Sequence, residues 1–385
     1  MLISRGAKLS LVIGVIALVL TLGVVLLVRV KKDSGESLVP LKVLPKKIID
    51  PNSLNWVRVD IATGTTRWAK RDSHAVYVFD GKLWLSGGLD SDNAKVGGTP
   101  DYEKALYYND IWNSEDGQTW NRVVSHADFP DIRSHSVIYF KDALYMYGGW
   151  SPKYGQAYKN GIWKSTDGLT WVQVVKNPEY PDREGQKVVE FNGKLWLVGG
   201  VNYFGRKTFN DVWSSEDGIH WTLVTKNAPW HSRWDFDIGI FDGKMWLAGG
   251  MGLGGAGYGD VWSTTDGAQW DLVTELAPWG KRQGQEIVEY RGYMWLVTGL
   301  DAVTNEGKGD TWYTADGKIW SKAPQDDKWL GREDQAVIVF KDKIWVLGGM
   351  DSAWHWNDDV WHTEFNSVFE TDLASTTQRP NKIVE

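Results

Sequence analysis

An arginine stands ahead of an apolar strand six times in this chain: Arg71, Arg133, Arg183, Arg233, Arg282 and Arg332. A guanidinium grips a carboxylate through two parallel N–H donors, so arginines converging on one point would hold an anion. Acids stand close by at Asp72, Glu184, Asp235 and Glu333. Two readings are open. In one, the arginines pair with such neighbours around a channel mouth, as a repeated structural duty. In the other, two or three of them converge on an anionic ligand. Arg133 sits one residue out of register, with Ile132 in the aligned slot.

Aromatic residues divide the same way. Three residues before each slot stand Trp68, Phe129, Tyr180, Trp230, Trp279 and Trp329, and such repetition points to packing plugs. Unrepeated rings are better binding candidates, because packing does not require them. These include Trp150, Tyr154, Tyr158, Tyr203, Phe204, Tyr258, Trp354 and Trp356, with Tyr102, Tyr107 and Tyr108 in the long segment 89–108. Exposed rings beside arginines suit stacking on sugar faces or anchoring a protein partner. The candidate ligand-binding set is therefore Arg71, Arg183, Arg233, Arg282, Arg332, Trp150, Tyr154, Tyr203, Trp354 and Trp356.

Other motifs fail on context. Gly252-Leu253-Gly254-Gly255-Ala256-Gly257 matches a dinucleotide-loop pattern, but it leads to a strand at Asp260-Val261-Trp262 rather than to a helix N-terminus. Asp90-Ser91-Asp92-Asn93 lacks the later glycine and glutamate of a calcium loop. The seven histidines, His74 and His135 among them, show no metal-ligand spacing and read as polar channel lining. No metal or cofactor is expected.

The elements that carry these residues come from a repeat. Gly-Gly pairs at 87–88, 148–149, 199–200, 249–250 and 348–349, with Thr298-Gly299 in the fifth copy, recur 61 residues apart once and then 49 to 51 apart. The copies continue through a segment that reads roughly Asn-Asp-Val-Trp, and the first five go on to roughly Ser-x-Asp-Gly-x-x-Trp. A period near 50 with four strand-like segments signals a β-propeller with one blade per copy. Most of the 25 tryptophans fall at repeat positions and are assigned to packing. The sixth copy lacks its last segment, and Leu54-Asn55-Trp56-Val57-Arg58-Val59 matches it. An N-terminal strand is thus expected to complete the last blade and hide its edge. Blade two departs at Tyr145, which replaces a tryptophan, and at Asn160-Gly161, which replaces Asn-Asp. Tight Asp-Gly and Asn-Gly turns belong to one face of the ring. The long loops belong to the other, where the site is expected.

The Arg before the first strand, the Gly-Gly after the second and the paired aromatics resemble kelch repeats over about residues 54–365. The segment Ser215-Glu216-Asp217-Gly218-Ile219-His220-Trp221 is also similar to the Asp-box of sialidase-type propellers, one residue shorter. The resemblance implies a six-bladed all-β propeller. It also includes sugar-active families, namely sialic-acid mutarotases and sialidases. On that implication two or three of Arg183, Arg233, Arg282 and Arg332 would hold a substrate carboxylate. Glu184, Asp235 or Glu333 would serve as acid or base. Galactose oxidase is similar in fold, but its copper site needs a cysteine-linked tyrosine and this chain has no cysteine.

Residues 9–28 are twenty consecutive uncharged, mostly apolar residues, long enough to cross a bilayer as a helix. The expected organisation is a short tail at 1–8, an uncleaved transmembrane anchor at 9–28, a linker at 29–52, the propeller at 53–365 and a disordered tail at 366–385. The propeller is expected outside the cytoplasm, in the periplasm or at the cell surface. A net charge of −7 gives no support to a nucleic-acid partner. The expected function is a membrane-anchored module binding protein or carbohydrate at its loop face, with recognition favoured over catalysis. A sugar-active enzyme of the mutarotase or sialidase-like kind is the alternative.

Overall fold

The structure, a computed structural model, describes residues 15–20, 23–32, 35–40, 47–60, 67–155, 158, 161–324 and 331–369. It divides into two compact units, residues 50–366 and residues 1–49 with 367–385.

The larger unit contains six four-stranded antiparallel sheets among its described residues. Their first strands are Ala75–Phe79, Arg133–Phe140, Lys187–Phe191, Asp237–Phe241, Glu286–Tyr290 and Ala336–Phe340. Each touches the first strand of the next sheet, and the sixth touches the first, so the contacts close into a cycle around a central channel. The chain is a six-bladed, all-β propeller. In the sixth blade the outermost strand is Asn55–Arg58, paired with Val360–Glu364.

Apolar clusters lie between consecutive blades rather than within them. One joins Trp68, Leu85 and Trp120 to Trp345 and Leu347, and another joins Trp84 and Ile111 to Leu144 and Trp171. The Asp-Gly turns explain one such contact. At Gly267 (φ 74°) an added Cβ would meet the Trp196 ring of the preceding blade at 2.1 Å, so only glycine fits. Gly218 meets Tyr145 in the same way, which accounts for the aromatic that replaces tryptophan in blade two. The aspartates of these turns are structural. Asp116 Oδ1 accepts the amides of Gln118 and Thr119 at 2.8 and 2.7 Å, while Ser114 Oγ accepts that of Gly117.

At the loop end, five blades carry the same buried staple. The Arg183 guanidinium donates to both Asp211 carboxylate oxygens at 2.5 and 2.8 Å and to the Gly199 carbonyl at 2.9 Å. Trp213 Nε1 donates to the same carboxylate. The staple thus ties the link between blades to the end of the second strand and the start of the third. Asp110, Asp260 and Asp359 receive Arg71, Arg233 and Arg332 in the same two-oxygen way, while Asp310 receives Arg282 through one oxygen and the second terminal nitrogen donates to the Trp279 carbonyl. Blade two lacks both halves, with Ile132 and Gly161 in the two places. In blade five Thr298 replaces the first glycine and exchanges hydrogen bonds with the Arg332 backbone at 3.1 and 3.3 Å.

The smaller unit corrects one expectation. Residues 9–28 were expected to form a membrane-crossing helix. Their described part is instead strand, Val15–Leu20 paired with Gly23–Lys32, which also pairs with Gly35–Pro40. Residues 9–14 and 21–22 lie outside the described residues. No described helix is long and apolar enough to cross a membrane. A run so rich in β-branched valine and isoleucine satisfies strand geometry as readily as a helix. Lys47–Ile49 pairs with Ser367–Phe369. The remainder of the expected C-terminal tail, from residue 370, lies outside the described residues, as does Trp329.

Asp260→Ala would strand the wholly buried Arg233 charge. It is expected to lower stability by about 3–5 kcal/mol, read from urea unfolding. A loss below about 1 kcal/mol, the range of an exposed pair, would refute the staple's role.

Candidate ligand-binding site

The residue after each staple arginine faces away from it, because successive side chains of an extended chain point to opposite sides. In blade order these positions hold Asp72, Arg133, Glu184, Trp234, Gln283 and Glu333. The next residues, Ser73, Ser134, Gly185, Asp235, Gly284 and Asp334, all have φ between 50° and 62°. Such left-handed backbone is accessible to glycine and tolerated by short polar residues. It aims amides along the ring: Ser73 donates to the Asp334 carbonyl, Ser134 to Ser73, Gly185 to Ser134 and Gly284 to Asp235, at 2.8 to 3.1 Å.

Above this ring opens a cavity of about 800 Å³, a size that accepts a small-molecule ligand. Its floor is acidic, with Asp72, Glu184, Asp235, Glu333 and Asp334. Its walls are Tyr102, Trp150, Tyr203, Phe204, Trp234 and Trp354, supplied by the long loops and one floor position.

Arg133 is the cation among the described lining residues. With no aspartate in its own blade to hold it, it reaches the next one and donates to Glu184 at 2.9 and 3.3 Å. Its guanidinium also lies 5.0 Å from the ring centres of both Tyr102 and Trp150. Burial, the largest influence, would depress its pKa, but the charge of Glu184 and the hydrogen bond to it, together with Tyr107 and Tyr102, hold it above the usual value. Tyr158 donates to Glu184 at 2.9 Å and accepts the Tyr203 amide, fixing the loop that carries Tyr203.

The other floor acids repel one another. Burial and then the Asp334 charge push the Glu333 carboxyl up to about 8, although a hydrogen bond from Gln283 at 2.7 Å works against this. Asp72 and Asp235 are raised for the same two reasons, and Asp334 chiefly by burial. Deeper in the channel, burial lowers His74 and His135 to about 3, so both imidazoles are neutral. Lys187 there bridges Asp237 at 3.1 Å and Glu286 at 2.8 Å. Among the described residues, no three His, Cys, Asp or Glu side chains are grouped so as to hold a metal ion.

The structure separates the residues singled out in the sequence. Arg71, Arg183, Arg233, Arg282 and Arg332 are at most 4 % exposed and committed to their staples, so they do not converge on a ligand. Their partners are not the neighbouring acids Asp72, Glu184, Asp235 and Glu333, which turn into the cavity. Trp150, Tyr203 and Trp354 line the cavity, whereas Tyr154 lies outside its lining. Trp356 is buried against Leu89 and Met350. The repeated aromatics Trp68, Phe129, Tyr180, Trp230 and Trp279 are buried plugs, each edge-on to the last tryptophan of the blade that follows. The sequence offers Tyr102 and Phe204 among its unrepeated rings and Arg133 as an out-of-register arginine without placing them in the candidate set, and it gives no sign of Trp234 and Asp334. The available signal is that the position after the slot differs in nearly every blade, while the slot itself holds arginine in five of six.

Fold and site together define a six-bladed β-propeller with a ligand-sized cavity at one end of its channel. Residues 85–216, which supply Tyr102, Arg133, Trp150, Glu184 and Tyr203, match the DUF6242 beta propeller domain. No curated protein is similar to the chain in sequence.

A carboxyl whose pKa is raised on folding costs stability above its unfolded value near pH 4.3, and the cost grows until the pH passes its folded value. Glu333→Gln removes that cost. It is expected to raise the unfolding temperature by on the order of 5 °C at pH 8 and by clearly less at pH 5. Equal shifts at both pH values in thermal scans would show that Glu333 is not held protonated.

Proposed function

We propose that the propeller is a carbohydrate-binding module that takes its ligand into the cavity at the loop end of the channel. One observation carries the reading: rings that packing does not demand are gathered around a polar floor. Flat aromatic faces stack on the apolar faces of sugar rings, and carboxylates accept the hydroxyl hydrogens at their edges. Trp354 adds to it. Its backbone is held at φ 60°, unfavourable for so bulky a residue, in a turn closed by the Asp351 carbonyl and carboxylate. Strain of this kind persists where surrounding structure imposes it, and it gathers at ligand-holding sites.

The reading extends to the rest of the chain. The Arg, Gly-Gly and aromatic pattern supports placing the propeller with the kelch type. The uncharged run at residues 9–28 supports attachment to a membrane, with the propeller outside the cytoplasm. Catalysis on a sugar, of the mutarotase or sialidase-like kind, draws support from Glu333 alone, since a carboxyl still protonated near neutral pH can act as a general acid. The staple arginines lend it none.

Two measurements test this. Trp354→Gly is expected to abolish glycan-array binding while the unfolding temperature holds or rises, because glycine relieves the backbone strain. Unchanged binding by a folded Trp354→Gly and a folded Tyr203→Ala would exclude the cavity as the site. Deletion of residues 9–28 is expected to move the protein from the membrane pellet to the soluble fraction, and a full-length chain that is soluble without detergent would overturn the anchor.

A further inference from the structure

The cavity floor is one-sided in charge. Four blades contribute Asp72, Glu184, Asp235, Glu333 and Asp334, against the single guanidinium of Arg133. That guanidinium is already occupied by Glu184 and by the Tyr102 and Trp150 rings. An anionic ligand would therefore meet four carboxyls with no cation to hold it. A neutral ligand closing the mouth would remove water from like charges and return nothing for it. A cation offsets both costs, and aromatic walls attract it further through their ring faces.

A second observation points the same way. Asp72 is 2 % exposed, yet its Oδ1 has no hydrogen-bond partner within the protein. A buried acceptor without a donor is costly, and it marks where a ligand's donor would be favoured. The other floor acids are partly engaged: Ser73 donates to Asp334 at 3.0 Å and Gln283 to Glu333. Their carboxyls retain further lone pairs on the cavity side.

Resting on the carbohydrate-binding reading above, we propose that the ligand is an amino sugar with a free, protonated amine. The ammonium group lies among Asp72, Asp235, Glu333 and Asp334, and the sugar ring lies against Trp354 and Tyr203. Three N–H donors on one compact cation match a floor of acceptors carried by different blades.

Isothermal titration of the full chain with a fully deacetylated glucosamine trimer, its N-acetylated counterpart, a neutral glucose trimer and trilysine tests the assignment. The deacetylated trimer is expected to bind at least about tenfold tighter than either uncharged trimer. Asp235→Asn is expected to remove about that factor for the amine-bearing trimer alone, while Trp354→Gly weakens every saccharide. Equal affinity for charged and uncharged trimers would overturn the amine assignment and leave carbohydrate binding standing. No saccharide binding at all would overturn both. Trilysine binding as tight as the glucosamine trimer would overturn the sugar part, since the floor would then be reading an amine alone. Should Asp235→Asn unfold, Glu333→Gln, which the pocket's charge repulsion favours, takes its place with the same expected selectivity.

Discussion

The buried Arg–Asp pair is the interaction on which the loop end of this propeller depends. A charge taken out of water must be matched closely or it unfolds its surroundings. Here each guanidinium is matched by a carboxylate, through both its oxygens in every staple but that of Arg282, by a strand-end carbonyl and, in blades one, three and four, by a stacked ring: Tyr108, Phe209 and Tyr258. Because the arginine also donates to the strand-end carbonyl, one guanidinium holds three chain segments at once, and the tryptophan Nε1 two residues on satisfies the carboxylate further. The geometry repeats because each blade needs the same correction at the same place, and repetition by itself says nothing about a ligand.

The cavity is built from what the staple leaves over. An arginine pinned outward sends the following residue inward, and that position is under no common packing demand. Blade two shows the converse. With Ile132 and Gly161 in place of the pair, the arginine moves one position along and into the cavity. The only cation among the described lining residues is therefore an arginine that its blade has no aspartate to hold. Its partner, Glu184, comes from the next blade, so the exception in one repeat is balanced in another.

Fold and site were legible to different degrees. The period, the glycine pairs and the tryptophan positions gave six blades, because each reports a contact that every blade must make. Five of the arginines do serve a repeated structural duty, but with other acids than their neighbours, because closeness in sequence is not closeness in space. Asp72 adjoins Arg71 but points away from it, while the true partner, Asp110, lies across the blade. The joint loss of arginine and aspartate in blade two was the clue in the sequence. Trp354 and Trp356 looked equivalent by composition, and only the turn at residues 351–356 separates a cavity wall from a buried plug. The run at residues 9–28 was ambiguous for a simpler reason: apolar content sets burial, and it does not choose between helix and strand.

The ring of left-handed residues at the channel mouth has an evolutionary consequence. Blade is joined to blade there by backbone amides and carbonyls, as from Ser134 to Ser73 and from Gly284 to Asp235. Side chains on the same residues, and on those just before them, reinforce that closure between some blades: Ser73 donates to Asp334, Arg133 to Glu184 and Gln283 to Glu333. A blade whose group is paired in this way cannot change it without unpairing its neighbour's. The mouth of the channel behaves as a fixed backbone frame on which part of the lining must change two blades at a time.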